Sequence, residues 1–417
     1  MTAARPPSAT DFRINLVGLA AMLLATAVIC WTKLDERWAV PILMAAAAAP
    51  ILLLDTVWSR VYRRASTGID WSKPHSRDLG RIATRYLGAL GAMAPVALFY
   101  WLTPEYQGDF YDRFWDFLRW FGPIGLVVGA LYFAWIDPYQ ADPKDSYWHV
   151  GRLLLGRGDW ERDKVGQALR GFAIKGFFVP LMFIYASRNV VDLQRAVSTD
   201  REAFLYAFEV LWHLGFLVDV TFTTMGYLAT FRLFDTQVRS AEPTMTGWVA
   251  AMVCYQPFWS IIGTQYLAYE GGYRWGEWLA PWPMLIIPWG IAIILCNAVF
   301  SGSTVAFGCR FSNLTHRGVV TSGPYSWTRH PAYVAKLASY WLINIPFVFH
   351  GSWYEVIRDC TWLSALGGVY WLRARTEERH LSVDPDYVRY ALWMNTHSWF
   401  APVGRWFPFL AYRAPSP

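Results

Sequence analysis

Charge is what this sequence has least of: Asp, Glu, Lys and Arg make up 16% of its 417 residues, against about 25% in a soluble globular domain. Cysteine is scarce as well. The five present (Cys30, Cys254, Cys296, Cys309 and Cys360) show no CxxC spacing and no pairing pattern. That argues against a disulfide framework or a zinc site, and no metal is expected. Most of them lie in or beside apolar runs, where cysteine behaves as a small hydrophobe. No low-complexity tract, internal repeat or soluble domain is visible along the chain. A cleaved leader is not expected either, because the apolar run after Arg13 is too long for a signal-peptide core and has no clear small-residue cleavage site.

In place of charge there is apolar and aromatic surface. Hydrophobic residues reach 55% and aromatics 18%, with 25 Trp. Trp and Tyr favour the wet headgroup layer of a bilayer, and the expected partner is the lipid bilayer itself. The expected fold is all-α, a polytopic transmembrane helix bundle. A helix needs about 20 apolar residues to cross the hydrocarbon core. Segments that come within a few residues of this are Ile14–Trp31, Trp38–Val57, Ala83–Leu102, Trp115–Ile136 and Gly166–Ala186, followed by Ala203–Phe231, Thr246–Leu267, Leu279–Phe300, Tyr333–Phe349 and Tyr354–Leu372. About ten spans are therefore expected. The fifth and ninth each carry a lysine, Lys175 and Lys336.

Loop charge gives an orientation. Arg60–Arg85 holds Arg60, Arg63, Arg64, Lys73, Arg77, Arg81 and Arg85 against Asp70 and Asp78 only, so it should face the cytoplasm. Thr103–Arg113 carries Glu105, Asp109 and Asp112 against Arg113 and should face out. Alternation then places Asp137–Arg162, Phe234–Pro243, Ser301–Pro331 and Arg373–Pro417 in the cytoplasm, together with both termini. The net charge of +6 suits such loops and does not call for nucleic acid.

The chemistry gathers near the C-terminus. One loop contains Thr315-His316-Arg317, Thr321-Ser322-Gly323, Tyr325 and Arg329-His330-Pro331 with Tyr333. One helical hairpin later come Arg373, Arg375-Thr376-Glu377-Glu378 and Tyr390. Both clusters sit at the same end of the hairpin, so they can be neighbours. This ordered set resembles the isoprenylcysteine carboxyl methyltransferase superfamily of membrane enzymes, whose architecture is shared by membrane sterol reductases with a similar Arg-His-Pro element. The resemblance covers about a quarter of the chain. It implies a catalytic region over 301–417 with a cytoplasmic cofactor pocket, and leaves the membrane helices of 1–300 without an assigned role.

The resemblance further implies S-adenosylmethionine as cofactor, with His316, Gly323, Tyr325, Arg329, His330, Tyr333, Glu377 and Glu378 around it and Arg329 and Glu377 in catalytic roles. His316, His330 or Arg329 can donate to the cofactor carboxylate, a guanidinium doing so bidentately. Glu377 or Glu378 can pair with its ammonium or accept from ribose hydroxyls. Tyr325 and Tyr333 offer faces to a sulfonium, and Gly323-Pro324 turns the chain between them. Each residue also has a plainer role open to it. The arginines suit helix ends at a cytoplasmic face, the glutamates suit a solvated helix face, and the aromatics suit an interfacial belt.

A second candidate site lies earlier. Glu209 and His213 are four apart and share a helix face, with Asp219 further round. Ionisable groups inside a membrane point to function, here the binding of a substrate headgroup, with a proton path or a metal site as the alternatives. The expected function is an S-adenosylmethionine-dependent methyltransferase acting on a lipid or lipid-like amphiphile. The alternatives are an NADPH-dependent reductase of a sterol or isoprenoid double bond, and a non-enzymatic transporter or scaffold. Against the reductase, Lys336 stands where many sterol reductases carry an acidic residue, and Ala391–Leu410 lacks their charged tail.

Overall fold

The computed structural model describes residues 4–200, 202–260, 275–349 and 351–415. It opens with a hairpin of α1 (Phe12–Thr32) and α2 (Glu36–Val57). Asp11 and Asp35 cap these helices by accepting from the backbone N–H groups of Arg13 and Arg37. Next come α3 (Leu79–Leu102), α4 (Asp112–Ile136), the short α5 (Ser146–Leu154), α6 (Arg162–Ser198) and α7 (Ala203–Leu228). Helix α5 lies against α3 at backbone distance. A Cβ on Gly88 would stand 1.8 Å from the Tyr147 carbonyl oxygen, and one on Gly151 2.0 Å from that of Thr84, so only glycine fits at either place. The core lies where α6 packs on α7 and α2, around Phe178, Phe183, Phe222 and Leu43.

The C-terminal part adds α8 (Met245–Met252), α9 (Trp275–Leu279), α10 (Pro283–Phe307), α11 (Pro331–Asn344), α12 (Trp353–Leu381), α13 (Pro385–His397) and α14 (Ala401–Trp406). Two two-residue strands, β1 (Ser240–Ala241) and β2 (Thr315–His316), pair antiparallel with Ser240 opposite His316.

The all-α expectation holds, but the count of about ten spans is not confirmed. Among the described residues seven helices, α1 to α4, α6, α7 and α10, are long and apolar enough to cross a membrane. Side chains such as Leu24, Leu53, Leu131 and Leu295 stand exposed on them, as lipid-facing residues would. The expected ninth span, Tyr333–Phe349, is cut short. Helix α11 has 14 residues, about 21 Å at 1.5 Å per residue, less than the roughly 30 Å of hydrocarbon. It ends because Ile345 takes a left-handed conformation before Pro346, and a residue before proline is steered out of the helical region. The expected tenth span has the length, but Glu355, Arg358 and Asp359 charge the start of α12.

The expected span Thr246–Leu267 is described only as far as Ser260: α8 stops at Met252, and residues 261–267 lie outside the described residues. The helices on either side bear on it. Gly290 lies against Phe204, and Asn297 donates to the Trp212 carbonyl oxygen. The Thr304 hydroxyl donates to Asp219, and Phe311 lies against Gly226. Helices α7 and α10 therefore run parallel, with Leu228 and Pro283 at opposite ends of the pair.

The loops sort by face as charge alternation requires. Ala9 N–H donates to the Val319 carbonyl at 2.8 Å, and the Thr321 hydroxyl to that of Pro6 at 3.0 Å. Arg64 donates to the Ala9 carbonyl at 2.7 Å, and Asp70 N–H to that of Tyr139 at 2.7 Å. The N-terminal segment thus shares one face with the loops around residues 60–78, 137–145 and 312–330. At the other face Arg113 pairs with Glu36 at 2.7 Å, beside the turn between α1 and α2.

Arg317 ties the loop face together. It is 3% exposed and donates to the backbone carbonyls of Gly226 (2.6 Å), Ala229 (2.7 Å), Thr236 (2.8 Å), Phe311 (3.0 Å) and Cys309 (3.2 Å). Gly226 and Ala229 close α7, Cys309 and Phe311 follow the end of α10, and Thr236 lies in the loop after α7, so none of the five has a helical partner of its own. A buried guanidinium supplies enough donors in one plane to serve them all.

Candidate functional site

The two polar clusters meet. Helix α12 has 29 residues and is about 44 Å long, so its last turns, from Arg373 onward, lie about 30 Å or more from its start. There they face the start of α11, where Pro331 occupies the first helical position and His330 precedes it as the cap residue. The contact is held by Glu378, which is 4% exposed. Its Oε1 accepts from Arg329 Nε at 2.9 Å and lies 3.1 Å from His330 Nε2, while Oε2 accepts from Arg375 Nη1 at 2.8 Å. Burial pushes the Glu378 carboxyl up, but the hydrogen bond and charge of His330, with Arg329 and Arg375, outweigh it and hold the group at about 2.

Arg329 has three of its five N–H donors engaged among the described residues, one on each nitrogen. Besides Glu378 it donates through Nη1 to Asn395 at 2.7 Å and through Nη2 to the Leu410 carbonyl at 2.9 Å. It therefore clasps α12, α13 and the C-terminal tail around one guanidinium. Arg375 is less committed, engaging only its Nη1, with Glu378 and the Ala411 carbonyl.

Glu377, one residue on, faces elsewhere. Its Oε2 accepts from the Tyr333 hydroxyl at 2.7 Å, and it forms no ion pair among the described residues. The Tyr333 ring lies parallel to that of His330, with centroids 5.4 Å apart, and the Arg373 guanidinium carbon lies 5.1 Å from the Tyr333 ring centroid.

Two chambers adjoin at this point. An outer one of about 330 Å³ lies between α11, α12, α13 and the tail, bounded by Arg329, Arg375, Glu378, Asn395 and Trp371. An inner one of about 300 Å³ lies between α6, α7, α10, α11 and α12. Asp219, Glu377, Lys336 and Arg373 line the inner chamber, with aromatic walls from Tyr185, Tyr255 and Phe300. His330, Tyr333 and Tyr370 line both chambers. Both volumes sit at the lower end of the range for small-molecule sites, about 300–1,000 Å³.

The structure thus brings together Tyr325, Arg329, His330, Tyr333, Glu377 and Glu378. The other candidates fall elsewhere. His316, expected at the cofactor, lies in β2 and lines neither chamber. Its Nε2 stands 3.1 Å from Asp384 Oδ2 but is not aligned for a hydrogen bond. Burial dominates there and pushes the imidazole down to about 4, the Asp384 charge opposing it. Gly323 also lines neither chamber. It has φ +61° with the Phe12 ring over it, so its glycine serves the turn. Glu209 and His213 line neither chamber, whereas Asp219, on the same helix, reaches the inner one.

Asn189, Tyr255, Thr304 and Asn313 also line the inner chamber, and sequence reasoning did not single them out. A polar residue inside an apolar run marks the first and third; nothing local marks Tyr255 or Asn313. Among the described residues no group of three His, Cys, Asp or Glu side chains could hold a metal ion. No family profile, curated protein or solved structure matches this chain.

Proposed function

We propose that this protein is a membrane methyltransferase that takes S-adenosylmethionine in the outer chamber and a lipid-like amphiphile in the inner one. The observation that carries the reading is the pair of adjoining chambers with a common wall of His330, Tyr333 and Tyr370. A group-transfer enzyme needs two substrates held with their reacting atoms in line and water kept out. When bound, the cofactor supplies an activated methyl group on a sulfonium.

The outer chamber suits that cofactor in two respects. Arg375 has guanidinium donors free for a carboxylate, and the aromatic faces of Tyr333 and Tyr370 suit a cation. Arg329 is a positioning residue, since it keeps Glu378 and the tail in place. In the inner chamber Glu377 is the base: transfer to a hydroxyl or amine releases a proton, and among the described residues this carboxylate is hydrogen-bonded only to Tyr333. The apolar and aromatic walls exclude water, while Asp219, Lys336 and Arg373 offer a polar end to the amphiphile's headgroup.

The reductase alternative is less well served. A dinucleotide brings a doubly charged pyrophosphate, and the outer chamber answers it with Arg375 and with an Arg329 whose charge already faces Glu378. The deciding experiment compares binding of S-adenosylmethionine and NADPH to the full chain in detergent, alongside transfer of labelled methyl groups to a membrane lipid extract. The reading expects cofactor affinity for S-adenosylmethionine and a labelled lipid product that Glu377→Gln abolishes. NADPH binding with no measurable S-adenosylmethionine affinity would replace it with the reductase.

A further inference from the structure

A third cavity, of about 330 Å³, lies at the loop-face end of α3, α4 and α6, away from both chambers. Its charges do not balance. Arg85 is neutralised, its Nη2 lying 2.8 Å from Asp145 and its Nη1 3.1 Å from Asp137. Arg232 reaches Asp145 only at 3.9 Å. Lys175 donates to the Thr230 hydroxyl at 2.6 Å, and no carboxylate among the described residues pairs with it. With Arg81 on Asp137 as well, four cations face two carboxylates in and around this cavity. A buried uncompensated cation is costly. The cavity also holds an unsatisfied acceptor: Gln140 is 1% exposed, and its Oε1 has no hydrogen-bond partner.

The cavity opens sideways. A Cβ on Gly125 of α4 or Gly171 of α6 would meet nothing within 4 Å. Around Gly125, Ile124, Val127 and Leu131 stand exposed, the direction in which a bilayer would lie. A ligand entering there would pass between two membrane helices before its polar end reached Lys175 and Arg232.

We infer that this cavity binds an anionic phospholipid, its phosphate between Lys175 and Arg232, a headgroup hydroxyl donating to Gln140 Oε1, and an acyl chain leaving past Gly125. The site is separate from the proposed methyl-transfer chambers, and neither reading needs the other. It halves the surplus charge and satisfies the orphan acceptor with one molecule.

The test is native mass spectrometry of the full chain in mild detergent, titrated with phosphatidylglycerol, with phosphatidylcholine of the same acyl chains, and with inorganic phosphate. Phosphatidylglycerol should be retained preferentially. Lys175→Met and Arg232→Gln should each lower its retention about fivefold, the worth of one basic residue near an anionic headgroup. Gly125→Leu should block retention while leaving every charge in place, and its exposed position lets it serve even if Lys175→Met melts early. Equal retention of the two lipids would overturn the inference, as would phosphatidylglycerol binding unchanged in all three variants. Lys175-dependent binding of inorganic phosphate without lipid retention would overturn the lipid assignment.

Discussion

Replacing Glu378 with Gln removes the charge on which the C-terminal layer closes. Three cationic or hydrogen-bonding groups converge on this carboxylate, at 2.9 Å (Arg329), 3.1 Å (His330) and 2.8 Å (Arg375). A carboxyl held at about 2 rather than its ordinary 4.5 reports about 3 kcal/mol of stabilisation at neutral pH. The sign follows from the direction of the shift. The folded state releases this proton more readily than the unfolded chain, so the stabilisation is complete above 4.5 and is lost as pH falls towards 2. Glu378→Gln keeps shape and volume, leaves Arg329 and Arg375 without a counter-charge, and should cost about the same 3 kcal/mol. Thermal unfolding in detergent should show a midpoint lowered by roughly 4 °C or more. Because Arg329 also holds the Leu410 carbonyl, limited proteolysis should cut the tail after Ser398 sooner than in the parent. An unchanged midpoint together with an unchanged cleavage rate would refute the view that Glu378 closes this layer.

Other outcomes can be checked independently. Arg317→Met should remove the donor to the five carbonyls and leave them buried and unpaired, a loss of about 3 kcal/mol or more; a monodisperse variant with parental melting would contradict the staple role. His316 is held below its ordinary value by burial, so the unfolded chain takes up its proton first, and stability should fall as pH drops from about 6.5 towards 4. His316→Gln should flatten that part of the melting profile, and an identical slope would rule the imidazole out. For orientation, single cysteines at Arg77 and Arg389 should be shielded from an impermeant thiol reagent in intact cells, while one at Asp109 should react; the reverse pattern would invert the topology.

Composition and pattern alone determined a good deal. Scarce charge and long apolar runs led to the expectation of long apolar helices, which is what the structure has, because a segment built for lipid must satisfy its backbone internally. The charge asymmetry between Arg60–Arg85 and Thr103–Arg113 sorted the loops into the faces the structure displays. The Arg-His-Pro and Glu-Glu elements were legible as neighbours, since a hairpin returns its ends to one side. Where the reading missed, the deciding contacts were non-local. The ninth span failed because Ile345 leaves the helical region before Pro346, whereas a hydropathy window averages across that break.

The division of labour between Glu377 and Glu378 depended on the register of α12 against the start of α11. That register turns Glu378 toward three cations and Glu377 toward Tyr333, though the two residues adjoin in sequence. Arg317 suited a cytoplasmic helix end and Arg329 was expected at the cofactor; the assembled fold engages Arg317 on backbone carbonyls and three Arg329 donors on Glu378, Asn395 and the tail. His316 was chemically suited to a cofactor but was drawn into the strand pair with Ser240. Sequence fixes which groups can donate, accept or ionise; which of them stay free for a ligand depends on long-range packing, because each buried polar group takes the first partner the fold brings within reach.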